Sequence, residues 1–430
     1  MIPLNHTLVL WVFIVTVTIG SITKLLKWWK VKQIKDSLLT KLQIKYFICY
    51  FSFMAGFIFQ GPYVHQRYHE TGMTNPQIDN IMSIFNVVSA IWGFVIGYAC
   101  DLLGHKNLII ISAILLGGSS FCRSYGTYYS FIISSVLMGV STASNRVVFE
   151  DWLAVQLEQN KAPKESQAII KENSALLNFC LNLILSQISS KVSTAFGSKY
   201  AFIGSTILFS VSAFIIFVTM PKFTREHEKK SSYFGAIKEI ILNFKNFEYA
   251  IFFIIDFLYS MILLLYNPRW TVFHKINKTE KIPLSQISNS ASISQMNGAQ
   301  ILSAAILFFS PASCLAGSFV SYSFCIFSMY LFYNTKSYMF LAYVCAAMSN
   351  GAINSGIWTL RSEIYPSSIR KHLLGIVRVP VSLVVTLILQ LMKGSETVDI
   401  LFVIVCLAFT TATLMTILGF HRKLRNPKSA

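Results

Sequence analysis

Apolar residues along this chain gather into long runs separated by short polar connections. Thirteen runs stand out, near residues 7–26, 45–64, 77–100, 107–125, 128–154, 170–194, 199–220, 249–268, 286–309, 311–333, 337–360, 372–393 and 398–420. Each approaches or exceeds the roughly 20 apolar residues a helix needs to cross a bilayer. Alternation with a period of two is weak, which favours spanning helices over a β-barrel. The pattern predicts an all-α polytopic membrane protein whose main partner is the lipid bilayer.

Charge then sets the expected topology. Hydrophobic residues make up 54% of the chain and charged residues 13%, against about 25% charged in soluble domains. The formal net charge of +18 is concentrated in connections, as expected for loops facing the cytosol. Lys24, Lys27, Lys30, Lys32, Lys35, Lys41 and Lys45 all follow the first run and no positive charge precedes it. That asymmetry reads as a retained anchor with its N-terminus outside. The same rule puts residues 101–106, the connection at Lys161 and Lys164, the stretch 221–248 and the tail from Arg422 inside. The sequons at Asn5 and Asn277 then fall outside, which marks them as glycosylation candidates. The lysine stretches lack interleaved aromatics and give nucleic-acid binding no support.

The expected organisation is an anchor helix and basic connector (1–44), a six-helix bundle (45–220), a cytosolic linker (221–248), a second six-helix bundle (249–420) and a cytosolic tail (421–430). The six spans of each bundle are called core helices 1–6 and 7–12. The eight cysteines lie in or beside apolar runs without a CxxC, so neither a disulfide framework nor a zinc site is expected. No phosphate-binding loop, HExxH pair or GxSxG turn occurs. An enzyme or a cofactor therefore has little support, and a monomer in the plasma membrane is the expectation.

One connection carries a motif. The stretch GYACDLLGHK, residues 97–106, interrupts two apolar runs with Gly97, Asp101, Gly104 and Lys106. Gly97 permits close helix approach, Gly104 permits a tight turn, and Asp101 is a negative charge suited to a helix N-terminus. The stretch resembles the connection between core helices 2 and 3 of the major facilitator superfamily. Leu102 and His105 stand where that superfamily usually has basic residues. The resemblance implies two six-helix bundles, alternating access, and a cytosolic latch between Asp101 and the start of core helix 11, near Ile369.

Four further stretches resemble the molybdate-anion transporter family within that superfamily: QGPYVHQRY (60–68), GVSTASNRVVFEDW (139–152), IPLSQISNSASISQMNG (282–298) and LRSEIYPSSIRKHLLGIVRVP (360–380). This resemblance implies a small oxyanion such as molybdate as solute. Gln60, Asn178 and Arg378 are taken as candidates for substrate contact, and Glu150 and Arg361 for gating. The sequence departs from the family at Phe57 and Ala347, where acids are usual. It also has Ser135 where the superfamily often has an arginine.

Ionisable residues inside the runs are the remaining candidates, because a charge at the bilayer centre costs at least about 2.5–3.5 kcal/mol. Arg146 and Glu150 are four apart on one helix face. They form a self-satisfied pair, or Arg146 faces the cavity in place of the arginine missing at Ser135. Asp256 sits well inside core helix 7 with nothing within a turn to neutralise it, as a proton carrier, a cavity wall or a packing hydrogen bond. Arg378 offers a planar fork suited to an oxyanion or a gate contact, or snorkels toward the cytosolic surface. Gln295 belongs with Ser288 and Ser292 to one polar stripe on core helix 8. The alternatives to an oxyanion carrier are a transporter of another polar solute and a non-transporting receptor or scaffold.

Overall fold

The computed structural model describes residues 11, 12, 14–16, 18, 20, 37–160, 165–221, 233–266, 284–306, 308–365, 369–392 and 397–425. Residues 11, 12, 14–16, 18 and 20 are helical. The helices that follow are α1 (Ser37–Gln60), α2 (Val64–Glu70), α3 (Asn75–Tyr125), α4 (Tyr128–Gln159), α5 (Glu165–Phe196) and α6 (Ser198–Thr219). Then come α7 (Tyr233–Asn243), α8 (Phe247–Tyr266), α9 (Leu284–Ala305), α10 (Pro311–Leu331), α11 (Lys336–Ile364), α12 (Arg370–Leu391) and α13 (Thr397–Arg425).

Helix α3 is two spans joined by one residue. Gly104 has φ +75° and ψ 158°, a conformation that costs little only without a Cβ. Residues 75–103 form the first limb, core helix 2, and residues 105–125 the second, core helix 3. Gly126, also at φ +75°, ends the second limb in the left-handed cap typical of glycine.

Nine helices among the described residues are long and apolar enough to cross a membrane, α3 long enough to do so twice. Helices α9 and α11 fall below that hydropathy because they carry polar stripes inward. Of the candidates outside the membrane runs, Asn5 and Asn277 lie beyond the described residues. The linker expected at 221–248 holds a short helix, α7, which its flanking charges hid.

Two separate apolar cores organise the molecule. One packs Tyr46, Phe53, Leu116, Trp152, Phe209 and their neighbours, mostly from α1–α6. The other packs Phe252, Phe319, Ile353, Val381, Ile404 and their neighbours, mostly from α8–α13. The halves meet along α3 against α12 and α5 against α9. Backbones approach closely at the first seam: a Cβ on Gly93 would lie 2.9 Å from the Gly375 carbonyl.

Candidate functional site

Buried charge crosses the boundary between the halves in an ion cluster. Arg361 on α11 donates from Nε to Asp256 Oδ2 at 3.0 Å and from Nη2 to Asp256 Oδ1. Its Nη1 reaches Glu150 Oε2, on α4 of the other half, at 3.3 Å. Asp256 is 0%, Glu150 2% and Arg361 2% exposed. Two carboxylates around one guanidinium satisfy each other's hydrogen bonds, as a buried ion cluster must. Asp256 is thus paired across 105 residues of sequence, which no local spacing reveals. Glu150 turns to Arg361; the side chain of Arg146 lies outside the described residues.

Beside this cluster, between the halves, lies a cavity of about 580 Å³. Its walls come from α1, α2, both limbs of α3, and α4, α5, α8, α9, α11 and α12. Polar groups include Asn145, Asn182, Ser288 and Gln295. Two arginines line it, Arg378 from α12 and Arg123 from the second limb of α3, and none of the lining residues is Asp or Glu. Arg378 donates from Nε to Ser89 Oγ at 2.7 Å, bridging the halves. It also lines a small void together with Asp256 and Arg361. Phe57 and Ser135, two of the departures noted in the sequence, are cavity walls.

A second cavity of about 280 Å³ shares Ser292 and Gln295 with the first. Asn178, Ser174, Asn354, Tyr50 and Trp358 also line it, and no charged side chain does. Hydrogen bonds tie α5 to α9 nearby: Asn182 to Ser292, which lines both cavities, and Ser186 to Asn289 at 2.8 Å.

This geometry can be set beside known proteins. A major facilitator family model described as sugar transporters with 12 transmembrane helices matches residues 8–350. The chain belongs to this family. Solved structures share its fold at low identity. The nucleoside transporter NupG is 13% identical over 89% of this chain and 98% of that one, with a TM-score of 0.61. The human organic anion transporter MFSD10 (TETRAN) is 9% identical over 88% and 99%, with a TM-score of 0.66. A variant of the E. coli fucose:proton symporter FucP is 10% identical over 88% and 98%, with a TM-score of 0.62. No curated protein sequence matches. The family and these neighbours are transporters, not enzymes, and the fold is the twelve-helix major facilitator fold.

In this facilitator, the motif at 97–106 meets α12. Asp101 Oδ2 lies 3.6 Å from His372 Nε2, in the first turn of α12. A Cβ on Gly97 would collide with the His372 ring, so the glycine makes room for that partner. His105 Nε2 lies 2.9 Å from Asp151 Oδ2 on α4. Cys100 offers a sulfur within 4.8 Å of that pair, a donor set that sequence spacing did not suggest. Lys106 points elsewhere, 5.2 Å over the ring of Phe217 on α6, and takes no part in the contact with α12.

Gln60 is held within the first half. It is 3% exposed, accepts from Ser120 Oγ at 3.2 Å within the first half, and is not among the residues lining either cavity. Ser120 pairs onward with Ser205 at 3.3 Å, and Ser205 donates to the Gly56 carbonyl at 2.8 Å. The glutamine belongs to a hydrogen-bond ladder that packs α1, α3 and α6. Arg123 was the missed cavity residue. It sits near the end of a span, where a basic side chain is normally read as reaching for the surface.

Proposed function

We propose that this facilitator moves a small anion, a molybdate-like oxyanion, by alternating access of its two halves. The observation that carries the reading is the inter-half cavity lined by two guanidiniums and no carboxylate. A desolvated cationic cavity favours an anionic occupant, and guanidinium groups hold oxyanions through paired N–H donors. At about 580 Å³ the cavity holds roughly 20 water volumes, so the solute enters hydrated and sheds water as the halves close.

The end of the bundle that carries Asp101 is assigned to the cytosol. There Asp101 and the first turn of α12 form the latch, with the glycine seam beneath it. Arg378 is the principal solute contact, and Gln295 lies where the two cavities meet on the route across. Asp256, Glu150 and Arg361 couple the halves. A proton shared within that cluster would be the coupling ion.

A second reading, a neutral polar solute such as a sugar, is favoured by the smaller cavity. Its uncharged amides and hydroxyls with Tyr50 and Trp358 suit a hydroxylated ring. The two readings separate in proteoliposomes. Uptake of labelled molybdate that tungstate competes and sugars do not supports the anion. Uptake of sugar with no anion uptake supports the alternative.

A further inference from the structure

We propose that Cys100, His105 and Asp151 form a binding site for one transition-metal ion of the zinc class, inside the first half at the end of the bundle that carries Asp101. The site is separate from the inter-half cavity and does not depend on which solute crosses.

The three side chains reach one point from two helices. Cys100 lies in the first limb of α3 and His105 opens the second, with the bend at Gly104 between them. Asp151 comes from α4, 46 positions after His105. His105 Nε2 and Asp151 Oδ2 are 2.9 Å apart, and one ligand atom from each of the three residues lies within 4.8 Å of the others. Ligand atoms around a tetrahedral zinc ion stand about 3.3–3.6 Å apart, given metal–ligand bonds of about 2.0–2.3 Å, so side-chain shifts of about an ångström bring this set into range. Paired-cysteine spacing was the signal whose absence argued against zinc in the sequence. Here one ligand arrives from another helix, which spacing does not show.

The donors also fit in kind. Thiolate, imidazole and carboxylate together suit zinc, whereas magnesium and calcium take oxygen ligands. All three residues are 5% exposed or less, and Cys100 shares its apolar core with Leu108, Trp152 and Leu153. Charge buried in such a place has to balance. A divalent ion with one thiolate, one carboxylate and a neutral imidazole is neutral, and binding releases the thiol proton together with any proton on the imidazole. Three protein ligands leave the fourth position to water. The route in is short, because Leu102 and Leu103 in the same connection are exposed.

All three ligands belong to the first half, so the ion does not lock the halves together. It ties both sides of the Gly104 bend to α4 and braces the connection that sets Asp101 against His372.

The test uses the full chain in nanodiscs, with any affinity tag removed and cobalt as the probe. Wild type should take one cobalt ion per chain and show tetrahedral visible bands with a thiolate charge-transfer band. Zinc should displace the cobalt and raise the unfolding temperature, and magnesium should do neither. His105→Gln keeps an amide donor for Asp151 and all eight cysteines, and should weaken cobalt binding at least about tenfold. Cys100→Ser should remove the charge-transfer band. Folded wild type that binds neither metal would overturn the proposal, as would binding that both variants leave unchanged. A charge-transfer band that persists in Cys100→Ser would put the ion on another cysteine and overturn the assignment.

Discussion

The central cluster and the cavity beside it are built on opposite rules. Around Arg361, two carboxylates from two halves close on one guanidinium, and all three groups are almost fully buried. At the cavity, two arginines stand on opposite halves and no acid joins them in the lining. Both arrangements take charge out of water, and both therefore cost desolvation. In the first, the protein supplies the compensating charge itself, so the cluster fixes how the halves meet. In the second, no acid is among the lining residues, the setting in which the proposed anionic solute would bind.

Removing the shared cation from the cluster should have the largest effect. Arg361→Gln leaves two buried carboxylates facing one another, at a cost of about 3–5 kcal/mol, and thermal unfolding with surface abundance should show a severe loss. Asp256→Asn should be milder, because Arg361 keeps Glu150. Glu150→Gln should be mildest, because the two-point contact with Asp256 survives. Equal damage from all three would mean that shape, not charge balance, holds the cluster.

The cavity should answer differently. Arg378→Lys keeps the charge and loses the planar fork. Uptake should fall about tenfold or more at normal surface abundance, with little change in thermal stability. A large stability loss with unchanged uptake per folded molecule would move Arg378 from the binding class to the structural one.

The seam that carries both regions comes next. A Cβ at Gly375 would press on the Gly93 carbonyl, and backbone cannot step aside as a side-chain tip can. Gly375→Ala should cost about 1–3 kcal/mol as overpacking, seen in unfolding and in greater thiol accessibility at the Asp101 end. Asp101→Asn should be the smallest change. It removes a charge at one helix terminus, about 0.3–1 kcal/mol, and should shift accessibility at that end without affecting folding.

The sequence made some of this legible and hid the rest for identifiable reasons. Spans were readable because hydropathy runs are local: the run at 199–220 became Ser198–Thr219, and the run at 372–393 became Arg370–Leu391. The opposition of Asp101 to the start of core helix 11 was expected near Ile369, and the structure places His372 against it. Asp256 and Glu150 were readable as buried acids. Their common partner was not, because Arg361 comes from a third helix and pairing over 105 and 211 positions leaves no local trace. Gln60 meets Ser120 of the second limb of α3, a partner 60 positions away that the sequence does not indicate. Arg123 was overlooked because only the packed structure shows a guanidinium near a helix end turned inward instead of toward solvent.

Charge displacement in response to solute tests the central claim most directly. Proteoliposomes holding the wild-type transporter on a solid-supported membrane would receive concentration jumps of molybdate, fucose or a nucleoside. The account predicts a transient current on the molybdate jump, one that shrinks strongly in Arg378→Lys, and none on the neutral solutes. A current on the sugar or nucleoside jump, with silence on molybdate, would contradict it.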